Sequence, residues 1–277
     1  MSPLWRDEVG IYFAPHRICL VRVGRGLRPA MVREEDHPRA PSGALAQSGA
    51  GWEAMLPALE SHLSQSEWTN ARARFVIGDT WVRYTVVPWS DALSSNEEHV
   101  AHARELMSSI FGDDLSEWSV SLSEAPPGVS RLACAMPAGL LRGLSDITTG
   151  HGLTLTSVQP QLIASFNSWR HRLPAADAAW FVTVEEGSLA ALRMCADGID
   201  RVHAVRIGLD WARELKRLQT FGRLASGSPT DGRVYVDVPP ALRALRPGAA
   251  TDLEWLEEPE APLTTLHRLE QLRRRAA

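Results

Sequence analysis

Val9, Ile11 and Phe13 alternate with Gly10, Tyr12 and Ala14, and Ile18, Leu20 and Arg22 keep the same period beyond Pro15 and His16. A period of two is that of a strand with one buried face, so residues 9–28 are expected to form a β-hairpin. A third strand is expected within residues 26–35. The same texture returns at residues 180–206, with strands expected at 180–185, 188–195 and 199–205. Asp197-Gly198 joins the last two and suits a tight hairpin turn. Two β-meanders thus open two halves of the chain, the second half starting near Ala175.

Between the meanders the period lengthens. Met55, Leu56, Leu59 and Leu63 mark a helix over residues 52–63. Residues 72–87 read as two paired strands with Gly78-Asp79 at the turn, ended by Pro88. Residues 95–111 form the strongest helical pattern. Ser95 and Glu98 have capping-box spacing, Val100, Ala103, Met107, Ile110 and Phe111 make the apolar face, and Gly112 stops it. Strands follow at 117–122 and 129–136, a helix from Pro137, a strand at 153–158 and a helix from Pro160. After the second meander come a helix over 209–221, a strand at 233–238, a short helix at 239–245, a strand at 252–256 and a terminal helix ending in Arg273–Arg275. Residues 36–51 and 225–231 read as loops.

Length and composition narrow the class. At 277 residues and 44% apolar, the chain suits one large or two medium domains and is not of disordered type. The formal charge of −4 offers no bulk basic field for nucleic acid. All the basic side chains but one, Lys216, are Arg. Cys19, Cys134 and Cys195 are far apart in strand-like runs, which fits buried thiols better than a disulfide framework or a zinc site. No signal peptide and no membrane span are expected, because charged Arg6-Asp7-Glu8 interrupts the start and no apolar run is long enough. A soluble cytoplasmic protein is the expectation.

Local motifs add little chemistry. His99 and His102 lie three apart beside Glu98, not at the four-residue spacing of a zinc protease, and read as a solvated helix face. Ser188 lacks a Gly-x-Ser-x-Gly elbow. Gly24-Arg25-Gly26 lacks the Lys-Ser/Thr of a phosphate loop. No catalytic residue and no metal ligand is expected. The ten Trp are mostly core or rim residues, and the basic C-terminus complements a helix dipole more simply than it binds lipid.

The order of strands and helices, repeated after an inserted segment, resembles the actin-like (ribonuclease H-like) two-lobe fold. Residues 10–23, GIYFAPHRICLVRV, look like the opening strands of PilM-type proteins of type IV pilus assembly. Residues 117–169 resemble their inserted α+β subdomain, which is similar to that of the cell-division protein FtsA; Gly152, Val158 and Pro160 fill its glycine and (V/I)-x-P places. Residues 180–210 resemble the start of the second lobe, and the cytoplasmic domain of GspL in type II secretion shares the architecture. The resemblance spans roughly residues 9–240. It implies a first lobe over 1–94, an inserted FtsA-like subdomain with linking helices over 95–174, a reduced second lobe over 175–258 and a C-terminal helix or tail over 259–277.

ATP-binding members of this fold open each lobe with Asp-x-Gly, the Asp near magnesium and the Gly near phosphate. This chain has Tyr12-Phe13-Ala14 at the first place and Thr183-Val184-Glu185 at the second. The late Gly-Gly near adenine falls at Asp237-Val238-Pro239, where Pro has no N–H to offer. Tyr12, Ala14, Thr183, Glu185 and Asp237 are therefore degenerate nucleotide positions, and no cofactor is expected. The resemblance implies a cytoplasmic scaffold, peripheral at the inner membrane, in a type IV pilus or type II secretion platform. Its expected partner is the cytoplasmic tail of a bitopic membrane protein (PilN-like or GspM-like), with an assembly ATPase as a further one. Tyr84 and Trp89 are expected to line a partner-peptide groove. An ATP-binding switch or ATPase of the same fold is the alternative, and it needs the missing Asp-x-Gly pairs. A polymerising actin-like protein is a third reading without a specific residue behind it.

Overall fold

The computed structural model describes residues 6–24, 30–38, 51–112, 115–174, 178–208, 210–226, 232–239, 242 and 253–256. The first meander is β1 (Glu8–Ala14), β2 (Arg17–Gly24) and β3 (Ala30–Pro38), all antiparallel. A single 3-10 turn leads into α1 (Leu56–Leu63), with Pro57 in its first turn, where a missing N–H costs nothing. β4 (Arg72–Ile77) then runs parallel to β1.

β5 (Arg83–Val87) does not pair with β4, which corrects the hairpin expected over residues 72–87. Gly78 N–H donates to the Phe13 carbonyl at 2.9 Å, prolonging the ladder between β4 and β1. A 3-10 turn at Asp79–Trp81 then carries the chain out of that sheet. The Gly-Asp pair is an exit, and its local chemistry is the same as a hairpin's.

α2 (Asn96–Phe111) has the expected caps, with the reciprocal Ser95–Glu98 box in place and Gly112 left-handed at φ 70°. Its buried side differs from the expected face: His99, Ala103 and Met107 point inward, whereas Ile110 and Phe111 are exposed. His99 is thus not on a solvated face; its ring lies against that of Trp89, centroids 5.7 Å apart. β6 (Trp118–Leu122) and β7 (Arg131–Pro137) complete a three-stranded antiparallel sheet in the order β5-β7-β6. α3 (Ala138–Gly150) starts directly after Pro137, and β8 (Thr154–Pro160) returns to run parallel to β4. The first sheet is therefore β3-β2-β1-β4-β8.

α4 (Gln161–Trp169) leads to β9 (Ala179–Glu185), β10 (Ser188–Cys195) and β11 (Gly198–Arg206), then α5 (Trp211–Ser226), β12 (Arg233–Asp237) and β13 (Leu253–Trp255). The second sheet is β11-β10-β9-β12-β13, with the same pattern of antiparallel and parallel neighbours as the first. Sheet membership divides the chain at places other than residues 94 and 174. β5 belongs to the small sheet although it precedes 95, and β8 belongs to the first sheet although it precedes 174. The expected helices at 239–245 and near the C-terminus lie largely or wholly outside the described residues.

The central strands β1 and β9 are buried on both faces. One core joins Val9, Ile11 and Phe13 of β1 with Leu162 of α4, Phe181 of β9 and Tyr235 of β12, so it runs through both lobes. Phe166 of α4 meets Phe181 edge-on, with centroids 5.6 Å apart. The other face of the second sheet packs Trp180, Val182 and Val234 against Trp211, Leu215 and Leu218 of α5. Burial of apolar area on this scale is the main stabilising term.

Candidate functional site

The C-terminal ends of β1, β4, β9 and β12 converge on the start of α4, the end of a strand set where ligands of open α/β sheets bind. In this chain, side chains from the two sheets hydrogen-bond to one another there. Tyr12 Oη donates to Glu185 Oε1 across the two lobes. Glu185 Oε2 accepts from the Asp79 backbone N–H at 3.0 Å and from Ser188 Oγ at 3.1 Å. Asp79 Oδ1 in turn accepts from Tyr84 Oη at 2.5 Å and from the Leu162 N–H at 3.1 Å. Ser165 Oγ donates to Asp237 Oδ2. Tyr12, Asp79, Ser165, Glu185 and Asp237 are all buried.

The places singled out in the sequence thus come together in part. Tyr12 and Glu185, one from each lobe's opening strand, touch. Asp237 lies at the end of β12, tied to α4. Thr183 is buried in β9, and its hydroxyl donates to the Ala190 carbonyl at 3.4 Å. Ala14 ends β1, so close to Gly78 that a Cβ there would lie 2.8 Å from its own. The sequence did not place Asp79, Ser165 or Ser188 in this cleft. Asp79 looked like a turn residue, and only the return of α4 to the first sheet gives it a backbone N–H to accept.

Burial pushes the Tyr84 hydroxyl well above its usual pKa, and the Asp79 carboxylate adds to the shift. Cys134, directly across from Tyr84 on β7, is raised to about 11 by burial and then by Asp79. A folded-state pKa above the unfolded one favours folding below the unfolded pKa, and this contribution is lost as pH rises. Alkaline titration through Tyr84 is therefore expected to destabilise the native protein as pH rises past the ordinary tyrosine range. Melting temperatures at pH 8 and pH 11 should fall further apart in the wild type than in Tyr84→Phe. An equal fall in both removes Tyr84 as the cause.

A second concavity lies between the first lobe and the small sheet. This groove, of about 680 Å³, is lined by Trp52, Trp81 and Trp118 with Arg83, Arg142 and Glu117 among its polar groups. The Arg83 guanidinium lies 4.2 Å from the centroid of the Trp118 ring. α3 reaches Trp52 only because residue 139 is glycine, where a Cβ would sit 2.8 Å from the indole. Neither Tyr84 nor Trp89 lines this groove. The Tyr84 side chain is buried on Asp79 and borders a different concavity, of about 720 Å³, between β5, β11 and α5. Trp89 is half-buried on His99 and donates to Asp91 Oδ1 at 2.8 Å. Trp52, Trp81 and Trp118 are far apart in the chain, which is why no sequence pattern groups them.

Comparison with solved structures finds a similar overall fold elsewhere. The chain superposes on one from the PilM–PilN type IV pilus biogenesis complex with a TM-score of 0.62 at 15% identity, covering 90% of this chain and 88% of that one. It matches the cytoplasmic domain of EpsL, an inner-membrane component of the type II secretion system of Vibrio cholerae, with a TM-score of 0.59 at 13% identity, covering 96% and 94%. A Bacteroides thetaiotaomicron protein with an actin-like ATPase fold and unknown function gives 0.56 at 10% identity, covering 88% of each chain. The fold is actin-like. No protein-family model and no curated protein sequence matches the chain. At these identities the likeness is one of architecture, and it bears out the two-lobe actin-like expectation. Among the described residues, no helix is long and apolar enough to cross a membrane.

Proposed function

We propose that this protein is a non-catalytic scaffold of a type IV pilus or type II secretion platform. In this reading it lies in the cytoplasm at the inner membrane and holds the cytoplasmic tail of a bitopic membrane protein. The observation that supports a degenerate nucleotide site is the contact of Tyr12 with Glu185 across the cleft. The two side chains that replace the ends of Asp-x-Gly meet where phosphates would lie. A phosphate entering there would displace a satisfied buried carboxylate or face it. At ~4 Å two unit charges repel by roughly 4 kcal/mol at the effective dielectric of a protein surface. Likeness in fold to PilM and EpsL supports the pilus or secretion setting. An assembly ATPase is a further partner in such a platform.

The tail would lie in the tryptophan-lined groove between the first lobe and the inserted subdomain. Trp and Arg are the side chains that most often dominate binding energy at protein interfaces. The test has two arms. Isothermal titration with MgATP is expected to show no heat of binding, and low-micromolar binding would overturn the scaffold reading. Capture from solubilised inner membranes is expected to retain a bitopic protein. Trp118→Ala and the exposed Arg142→Glu should weaken that capture, the former at least tenfold, while equal capture by both variants and the wild type rejects the groove.

A further inference from the structure

β3 is an edge strand, and the strand period puts Arg33, Glu35 and His37 on one of its faces. Asp36 faces the other way, towards Arg17 at 3.3 Å and the Cys19 thiol at 3.2 Å. The last turn of α1 carries His62 to the first of these faces, where the His37 and His62 rings stack with centroids 3.5 Å apart. His37 Nε2 lies 3.0 Å from Glu35 Oε2. The ligating atoms of Glu35, His37 and His62 all lie within 4.8 Å of one another. The Glu35 side chain is 14% exposed and that of His37 32%, so the cluster is sheltered yet open to solvent on one side.

We propose that Glu35, His37 and His62 bind one divalent transition-metal ion of the zinc class, clamping edge strand β3 to α1. Two imidazoles and a carboxylate suit zinc, cobalt or nickel and not magnesium or calcium, which prefer all-oxygen shells. Donors held ~2.1 Å from an ion at tetrahedral angles are ~3.4 Å apart, so the observed spacing closes by side-chain rotation without backbone movement. The ion takes the place of the direct His37–Glu35 contact, and a ring nitrogen ligates only when deprotonated. An imidazole ligates in its own plane, so loading turns His62 off the stack. Arg33 holds Glu35 Oε1 and leaves Oε2 for the ion, a supporting contact that fixes the carboxylate's orientation. Water completes the shell. A Glu-x-His pair on a strand and a His on a distant helix form no recognisable spacing, so the sequence gives no sign of a metal here. The proposal is independent of the scaffold reading.

The test uses the full chain, stripped with chelator and titrated with zinc chloride by calorimetry and with cobalt chloride by visible absorption. One ion per chain is expected. The cobalt spectrum should show d–d bands without the near-ultraviolet thiolate band that Cys19, Cys134 or Cys195 would produce. Zinc should raise the melting temperature by several degrees. His37→Gln and His62→Gln should each bind at least tenfold more weakly and lose that rise, while His151→Gln should behave as wild type. Should either glutamine variant fail to fold, histidine-ring NMR on the wild type decides: zinc must shift the His37 and His62 signals. Absence of stoichiometric binding, a thiolate band, undiminished affinity in both variants, or unshifted signals overturns the proposal.

Discussion

Glu185→Ala is expected to lower the free energy of unfolding by about 3 kcal/mol, through three hydrogen bonds, two of which the chain makes only when both lobes are folded. The carboxylate accepts from Tyr12 Oη, Asp79 N–H and Ser188 Oγ. Truncation removes the acceptor shared by three buried donors, a loss of roughly 1–3 kcal/mol for each hydrogen bond, and partly offsets this by removing a buried carboxylate. Tyr12→Phe removes a single donor and should cost about 1.5–3 kcal/mol, the range for a hydrogen bond to a charged group. The two residues come from different lobes, so their coupling measures the contact across the cleft. Urea unfolding of both single variants and the double variant gives that coupling. Interaction of about 1 kcal/mol or more is expected, whereas additivity within about 0.5 kcal/mol would mean that the contact contributes nothing.

Gly232→Ala should be at least as damaging for a different reason. Gly232 has φ 76°, and a Cβ there would lie 1.8 Å from the Ala178 carbonyl oxygen. Backbone cannot rotate away as a side chain can. Here β12 starts alongside β9, and both strands would have to shift. Gly112 separates the two effects. Its φ is 70° and a Cβ would meet nothing within 4 Å, so Gly112→Ala carries the backbone penalty alone. About 1–2 kcal/mol is expected at Gly112 and about 3 kcal/mol or more at Gly232. Thermal unfolding of the pair checks this, and similar losses at both sites would show that the clash relaxes.

The strands of both meanders were legible because Val9, Ile11 and Phe13, and later the strands at 180–205, carry their period locally. The caps of α2 were legible for the same reason: Ser95, Glu98 and Gly112 act on their own helix. Partnering was not legible. Gly78-Asp79 has the chemistry of a hairpin, and nothing nearby says that β4 pairs with β1 while β5 leaves for another sheet. In α2 the apolar residues extend past the face that meets the small sheet, so Ile110 and Phe111 were misplaced and His99 was overlooked as a buried residue. Tyr12 and Glu185 could each be marked as departures from Asp-x-Gly. Their contact spans the whole chain between the lobes, and no local pattern encodes it. The tryptophan groove has the same character, since Trp52, Trp81 and Trp118 meet only after three separate elements have packed.

The continuous core through α4 has a mechanical consequence. Two-lobed proteins usually move by hinge closure around a ligand, with solvent free to enter the gap. Here Phe166 on Phe181 and Tyr12 on Glu185 stand where that gap would open. Exposing even one such aromatic, at ~25 cal/mol per Å² over ~150–250 Å², would cost about 4–6 kcal/mol before any hydrogen bond is lost. Thermal motion seldom supplies so much. A pull on the three-stranded sheet would therefore reach the far sheet as displacement of the whole body, with little bending between the two large sheets: the molecule would act as a strut.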